Sequence, residues 1–180
     1  ALSALHGYAR ELLEAGRKTE KKTDNYEDIR GAFLVALSGL PISGADSAQA
    51  AKLLKLSGDL ERLSDHAVNL AEAAEELRQK DAQFTPEAMG ELDLLTAAVL
   101  EILDMALNSF LNNDLEAAAR VEPLEEVIDR LKEQLRTNHI LRLQQGGCTI
   151  DAGFIWSDLL TNLERTADHC SNIAECVLDL

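Results

Sequence analysis

Apolar residues recur at a helical period along almost the whole chain. Leu53, Leu56, Leu60, Leu63, Ala67, Leu70, Ala74 and Leu77 follow one another at steps of three and four. That is the stripe of a helix that buries one face in a bundle. Leu92, Leu95, Val99, Ile102, Ala106 and Phe110 form a second stripe, and Leu124, Ile128, Leu131 and Leu135 a third. Tyr26, Ile29, Phe33, Leu37 and Leu40 are in register on a fourth. No segment alternates apolar and polar residues for long enough to predict a strand.

Stop and start signals divide these stripes into five long helices. The first is predicted over 2–40 and ends at Pro41, and Ser43-Gly44-Ala45-Asp46 supplies a turn and a cap. The second runs over 46–80. Thr85-Pro86-Glu87 opens the third with a capping hydroxyl, a proline at the first helical position and an acid in the first turn. Asn112-Asn113-Asp114 separates it from a fourth helix, which Pro123 should bend or split. Gly146-Gly147 ends the fourth, and the fifth begins after Thr149.

The second and fifth helices carry the same text. Shifted by 103 positions, Leu56–Leu77 superimposes on Leu159–Leu180 without a gap, with ten of 22 positions identical. Asp59-Leu60-Glu61-Arg62, Asp65-His66, Asn69, Ala71 and Glu72 become Asn162-Leu163-Glu164-Arg165, Asp168-His169, Asn172, Ala174 and Glu175. A repeat of this length predicts duplicated architecture: an all-α fold of two antiparallel helical bundles, with 1–84 as the first copy and 85–180 as the second. Most of the shared residues are polar, which a duplicated core alone would not require.

Glu61 and Asp65 are one turn apart, roughly opposite the apolar seam, as are Glu164 and Asp168. Two further pairs of this kind, Glu20 with Asp24 and Glu125 with Asp129, are related by a shift of 105. Like charges at this spacing cost a helix about 0.2–0.5 kcal/mol, and a bound cation reverses the sign. Carboxylates are hard ligands suited to Mg²⁺, Ca²⁺, Mn²⁺ or ferric iron. A solvated acidic face is the plain alternative. The expected grouping is Glu20, Asp24, Glu61 and Asp65 in one metal site, and Glu125, Asp129, Glu164 and Asp168 in a second. His66 and His169 flank the seams, where a supporting role is favoured over ligation, and Arg62 and Arg165 are expected to pair with neighbouring carboxylates.

Composition narrows the partners. The formal net charge of −15 disfavours nucleic acid and anionic membrane surfaces. An aromatic content of 4% among abundant Leu and Ala fits helix-on-helix packing. No apolar run approaches the roughly 20 residues of a spanning helix. Cys148, Cys170 and Cys176 lack metal-knuckle spacing, and a reduced cytoplasmic compartment with buried thiols is expected. Trp156 is expected in the core or at a partner contact.

The duplicated Asp/Asn-Leu-Glu-Arg-x-x-Asp-His-x-x-Asn-x-Ala-Glu motif resembles the PhoU family over nearly the whole chain. The resemblance implies two homologous three-helix bundles, iron or zinc clusters bound through Glu/Asp-x-x-x-Asp motifs, and a part in controlling phosphate uptake. The segment His139-Ile140-Leu141-Arg142-Leu143, Gly146-Gly147-Cys148, Gly153-Phe154-Ile155 and Asp158-Leu159-Leu160 is more narrowly similar to the cytoplasmic PhoU-like domain of bacterial Na⁺/phosphate cotransporters. The residues before Glu20 are too few for a full first helix. This favours an excised tail and leaves apolar surface on the first two helices, which a second copy in a homodimer or a transporter would cover.

The expectation is therefore a regulatory, non-enzymatic module that contacts a phosphate transporter's membrane domain or a phosphate-signalling protein. A free-standing PhoU signalling protein and a metal-dependent enzyme with a carboxylate cluster are the alternatives. No nucleotide-binding glycine loop is present. None of the four histidines has a Glu three residues before it, against a ferritin-like oxidase.

Overall fold

The computed structural model describes residues 10–40 and 43–179, and every regular element among them is helical. In chain order these are α1 (Arg10–Ser38), α2 (Gly44–Gln79), α3 (Pro86–Asn112), α4 (Leu115–Ala118), α5 (Val121–Gln144) and α6 (Ile150–Leu178). Five are long and α4 is a single turn. The caps are those the sequence offers. Ser43, Thr85, Asp114 and Thr149 each accept a hydrogen bond from the third backbone N–H that follows. Pro123 splits the fourth predicted helix rather than bending it. The break falls at Ala119-Arg120, so Pro123 lies in the first turn of α5, where a missing N–H costs nothing.

α6 is the helix around which the rest are arranged, touching α2, α3, α4 and α5. Ile155, Trp156, Leu159, Leu163, Ala167, Cys170, Ile173 and Val177 are almost wholly enclosed along it. Leu92, Leu95, Val99, Ile102 and Ala106 of α3 and Ile128 and Leu135 of α5 close the same core. α1 packs along α2, and α2 packs on α6.

The seam of α2 is less enclosed than its pattern predicts. Leu56, Leu70 and Ala74 are buried, Leu60, Leu63 and Leu77 are partly buried, and Leu53 is 45% exposed. Tyr26, Ile29 and Phe33 of α1, and Leu40 just after it, are all more than half exposed. The physical reason is a missing neighbour: among the described residues α1 and α2 have no counterpart of α3. The apolar surface expected on the first two helices is present.

α3 corrects one expectation. It is long and apolar enough, by length and composition, to cross a membrane. Its Leu92, Leu95, Val99 and Ile102 nonetheless face the bundle core, and Asp93, Glu101 and Asp104 are exposed on its other sides. Cys170 and Cys176 are buried free thiols as expected, and burial pushes Cys170 up to about 12.

Candidate metal centres

α1 and α2 lie side by side, and the contact between them is acidic. Glu20 and Asp24 meet Asp65 of α2, with one oxygen from each within 4.8 Å of the other two. α5 and α6 repeat the arrangement with Glu125, Asp129 and Asp168. Around an ion with metal–oxygen bonds of about 2.1 Å, opposite ligands are about 4.2 Å apart. Each triad therefore needs only a small side-chain adjustment to share one cation. Three of the four carboxylates grouped from the sequence converge at each centre, and the fourth stands beside them. Glu61 stands beside Asp65 and has Arg62 at 3.5 Å. Glu164 instead accepts from Lys132 Nζ at 3.0 Å.

The electrostatics of both centres favour a cation. Asp24 Oδ1 and Asp129 Oδ1, equivalent atoms of the two copies, are buried without a hydrogen-bond partner among the described residues. Such orphaned acceptors cost about 1–3 kcal/mol each. Burial and then Asp65 push the Glu61 carboxyl up to about 7. Burial and then Asp24 raise Glu20, and burial and then Asp129 raise Glu125. Loss of water around the cluster, then Glu164 and Asp129, raise Asp168. A carboxylate whose charged form is disfavoured by its neighbours is one that a bound cation would stabilise. The donor set is all carboxylate, and it fits a hard cation best.

The two centres are not equal. The residue one shift of 105 before Lys132 is Glu27. Glu27 adds to the negative field on Glu61, where Lys132 neutralises Glu164. The first centre thus has an extra carboxylate where the second has a built-in ammonium. Comparing the copies position by position reveals this swap in the sequence, and the motif spacing alone does not.

The remaining motif residues have other work. Arg17 pairs with Glu72 at 2.7 Å, Lys55 with Glu175 at 3.2 Å and Lys52 with Asp179 at 3.7 Å. Arg62 lies 3.8 Å from Asp65, the expected neighbour pairing. His66 and His169 stay out of both triads and stack on each other across the α2–α6 contact, with ring centroids 5.5 Å apart.

A duplicated all-helical bundle carrying one acidic triad in each half defines the class. The family model described as PhoU domain matches residues 1–74 and 92–177, and the chain belongs to the PhoU family. It is 29% identical over 126 residues to the phosphate-specific transport system accessory protein PhoU homolog 1 of Thermotoga maritima, covering 70% of this chain and 53% of that one. The chain thus spans about half the length of that relative. It is 24% identical over 180 residues to the putative inorganic phosphate export protein YjbB of Escherichia coli, covering 97% of this chain and 32% of that protein. The crystal structure of PhoU from Pseudomonas aeruginosa superimposes with a TM-score of 0.86 at 24% identity, over 97% of this chain and 83% of that one. That likeness shows the fold.

Proposed function

We propose that the chain is a regulatory, metal-binding module that controls phosphate transport from the cytoplasmic side of a membrane transporter. The observation that carries the metal part is the pair of equivalent triads, Glu20/Asp24/Asp65 and Glu125/Asp129/Asp168, each with an orphaned aspartate oxygen. Glu61 and Glu164 stand beside the triads as further ligands. The ion is a hard cation, with iron favoured over zinc by the all-oxygen donor set. It would hold α1 to α2 and α5 to α6, making bundle rigidity depend on occupancy.

The transport part is supported by family membership and by the full-length match to one third of a protein named for phosphate export. That match supports a module attached to a phosphate carrier; Na⁺ coupling rests on the resemblance of the His139–Leu160 segment alone. The likeness to accessory proteins of phosphate-specific transport supports a second reading, a free-standing regulator. In either case the apolar face of Tyr26, Ile29 and Phe33 is the surface offered to the transporter or to a second copy in a homodimer.

Elemental analysis of chain purified without chelator, with melting curves of wild type and an Asp65→Asn/Asp168→Asn variant, tests the metal part. Iron or manganese should raise the wild-type melting temperature and leave the variant unmoved. Coincident curves with and without metal would reduce the triads to a solvated acidic face. Phosphatase and oxidase assays on loaded protein should show no turnover. Phosphate uptake by cells carrying the variant should lose its regulation and keep its transport.

A further inference from the structure

Further along α5 and α6 from the second acidic triad lies a partly open cavity of about 400 Å³, within the size range of small-molecule sites. Lys132, Arg136 and His139 of α5 line it on one side, and Trp156, Ser157 and Thr161 of α6 on the other. Ile140 and Leu143 supply its accessible apolar surface. We propose that this cavity binds a small organic oxyanion, a phosphate or carboxylate head on an apolar body. This inference does not depend on the metal reading.

The first argument is unmet polarity. His139 is 4% exposed and Trp156 is 1% exposed, yet His139 Nδ1 and Trp156 Nε1 have no hydrogen-bond partner among the described residues. The other His139 nitrogen, Nε2, lies 3.7 Å from Cys148 Sγ. Whichever tautomer His139 adopts, one polar atom on its ring is left over. The Trp156 N–H can only donate, so an acceptor is missing beside it. Native structures leave few such atoms, and each costs about 1–3 kcal/mol.

The second argument is comparison of the copies. If the bundle needed these residues for packing, the first copy would keep them. Its equivalents of Arg136 and His139 are Gly31 and Leu34, and those of Trp156, Ser157 and Thr161 are Leu53, Leu54 and Gly58. Apart from Lys132, whose equivalent is Glu27, the polar lining belongs to the second copy alone. A bundle can therefore be built from the same motif without it.

Charge and shape select the ligand. In a chain of net charge −15, Lys132 and Arg136 stand one turn apart at this cavity. Lys132 is shared with Glu164, but Arg136 is exposed and meets Glu133 only at 3.9 Å, leaving its guanidinium available to a bidentate oxyanion. Thr161 donates to the Ser157 carbonyl at 2.9 Å and so has no proton left for an oxyanion, which leaves the anionic head to Lys132 and Arg136. The faces of Trp156 are engaged: His139 stacks at 5.3 Å, and the Arg142 guanidinium carbon is 5.4 Å from the ring centroid. Phe84 adds a T-shaped contact at 5.1 Å, so the ring is enclosed and a ligand's apolar body falls on Ile140 and Leu143, the accessible apolar residues of the lining. Gly153 keeps the end of the cavity tight, since a Cβ there would come within 3.3 Å of His139 Nε2 and 3.4 Å of Leu143.

Trp156 is the one tryptophan in the chain, so its fluorescence reports the cavity directly. The full chain is titrated with phenyl phosphate, benzoate, inorganic phosphate and benzyl alcohol. Saturable change with phenyl phosphate or benzoate is expected, and which of the two binds tighter distinguishes a phosphate from a carboxylate head. Arg136→Gln should weaken the tighter one at least about tenfold. Ser157→Leu, which installs the first copy's residue at an exposed position, should weaken it too. Arg130→Gln, on another side of α5, should not. Circular dichroism confirms that each variant keeps its helices. Absence of a saturable response to both organic anions overturns the proposal, as does an affinity unaltered by Arg136→Gln. Equal binding of inorganic phosphate or benzyl alcohol overturns the assignment of a two-part ligand.

Discussion

His169 Nδ1 donates to Asp59 Oδ1 at 2.9 Å, joining the two copies of the repeat through a buried contact between α6 and α2. The reciprocal contact is its near mirror: His66 Nδ1 lies 2.9 Å from Asn162 Oδ1. Asn172 donates to Asp59 at 3.1 Å and Asn69 to Asn162 at 3.0 Å, completing the symmetry. Each copy thus offers a histidine and an asparagine to the first residue of the other's motif. Asn162 Nδ2 donates to the Asp158 carbonyl, which fixes its amide so that Oδ1 faces the histidine. Both histidines must then carry their proton on Nδ1. This layer accounts for the histidine, the asparagine and the first residue of each motif copy, which lie outside both triads.

The near symmetry predicts different fates for two substitutions at Asp59. Asp59→Asn restores the Asn–His pairing of the other half and should change stability by less than about 1 kcal/mol. Asp59→Ala leaves His169 and Asn172 without their acceptor and should cost about 1–3 kcal/mol. Chemical denaturation of both variants checks this. Equal losses would mean that the layer contributes through packing alone.

Glu61 sets a pH dependence of the metal-free protein. Its carboxyl is raised from 4.5 to about 7 by burial and by Asp65, so the folded state holds this proton more tightly than the unfolded chain. The resulting stability is complete below about 4.5 and is lost as pH rises through about 7. Burial lowers His66 and His139, which act in the opposite sense, their contribution being complete above 6.5 and lost as pH falls below it. Glu61→Gln isolates the carboxylate. In chelator, the variant should gain on wild type steadily between pH 5 and pH 8. A constant difference between the two urea curves across that range would refute the shift.

Lys132 predicts unequal metal affinities. With Glu27 at the first triad and Lys132 at the second, the first should fill before the second in a calorimetric titration. Lys132→Met removes a positive charge beside Glu164 and should tighten the second site by at least about tenfold. Glu27→Lys should weaken the first by a similar factor. Two sites of equal affinity in the wild type would show that this swap has no electrostatic reach to the ions.

Leu60 and Leu163 occupy the same position of the repeat and should differ in worth. Leu163 is fully buried where α6 is surrounded by other helices, and its truncation to Ala should cost about 2–5 kcal/mol. Leu60 is only partly buried on α2, and Leu60→Ala should cost less. Thermal unfolding of the two variants makes the comparison directly, each kcal/mol being about 2–4 °C in a chain of this size.

Helix number, caps and the duplicated architecture were legible in the sequence, because they rest on local and periodic signals. Ser43, Thr85, Asp114 and Thr149 cap the helices they precede, and a stripe at steps of three and four is a property of one helix alone. The Glu-x-x-x-Asp pairs were legible for the same reason, since one turn of helix brings both carboxylates to one face. Which pairs meet across helices is a tertiary matter. The same spacing gave a triad at Glu20, Asp24 and Asp65 but left Glu164 to Lys132, because rotation and depth of the facing helix decide which side chain reaches inward. The exposure of Leu53 and Phe33 is not written in their stripes; it is expected only because the residues before Glu20 are too few for a further helix. A stripe specifies the face a helix offers, and only the presence of a neighbouring helix decides whether that face is buried.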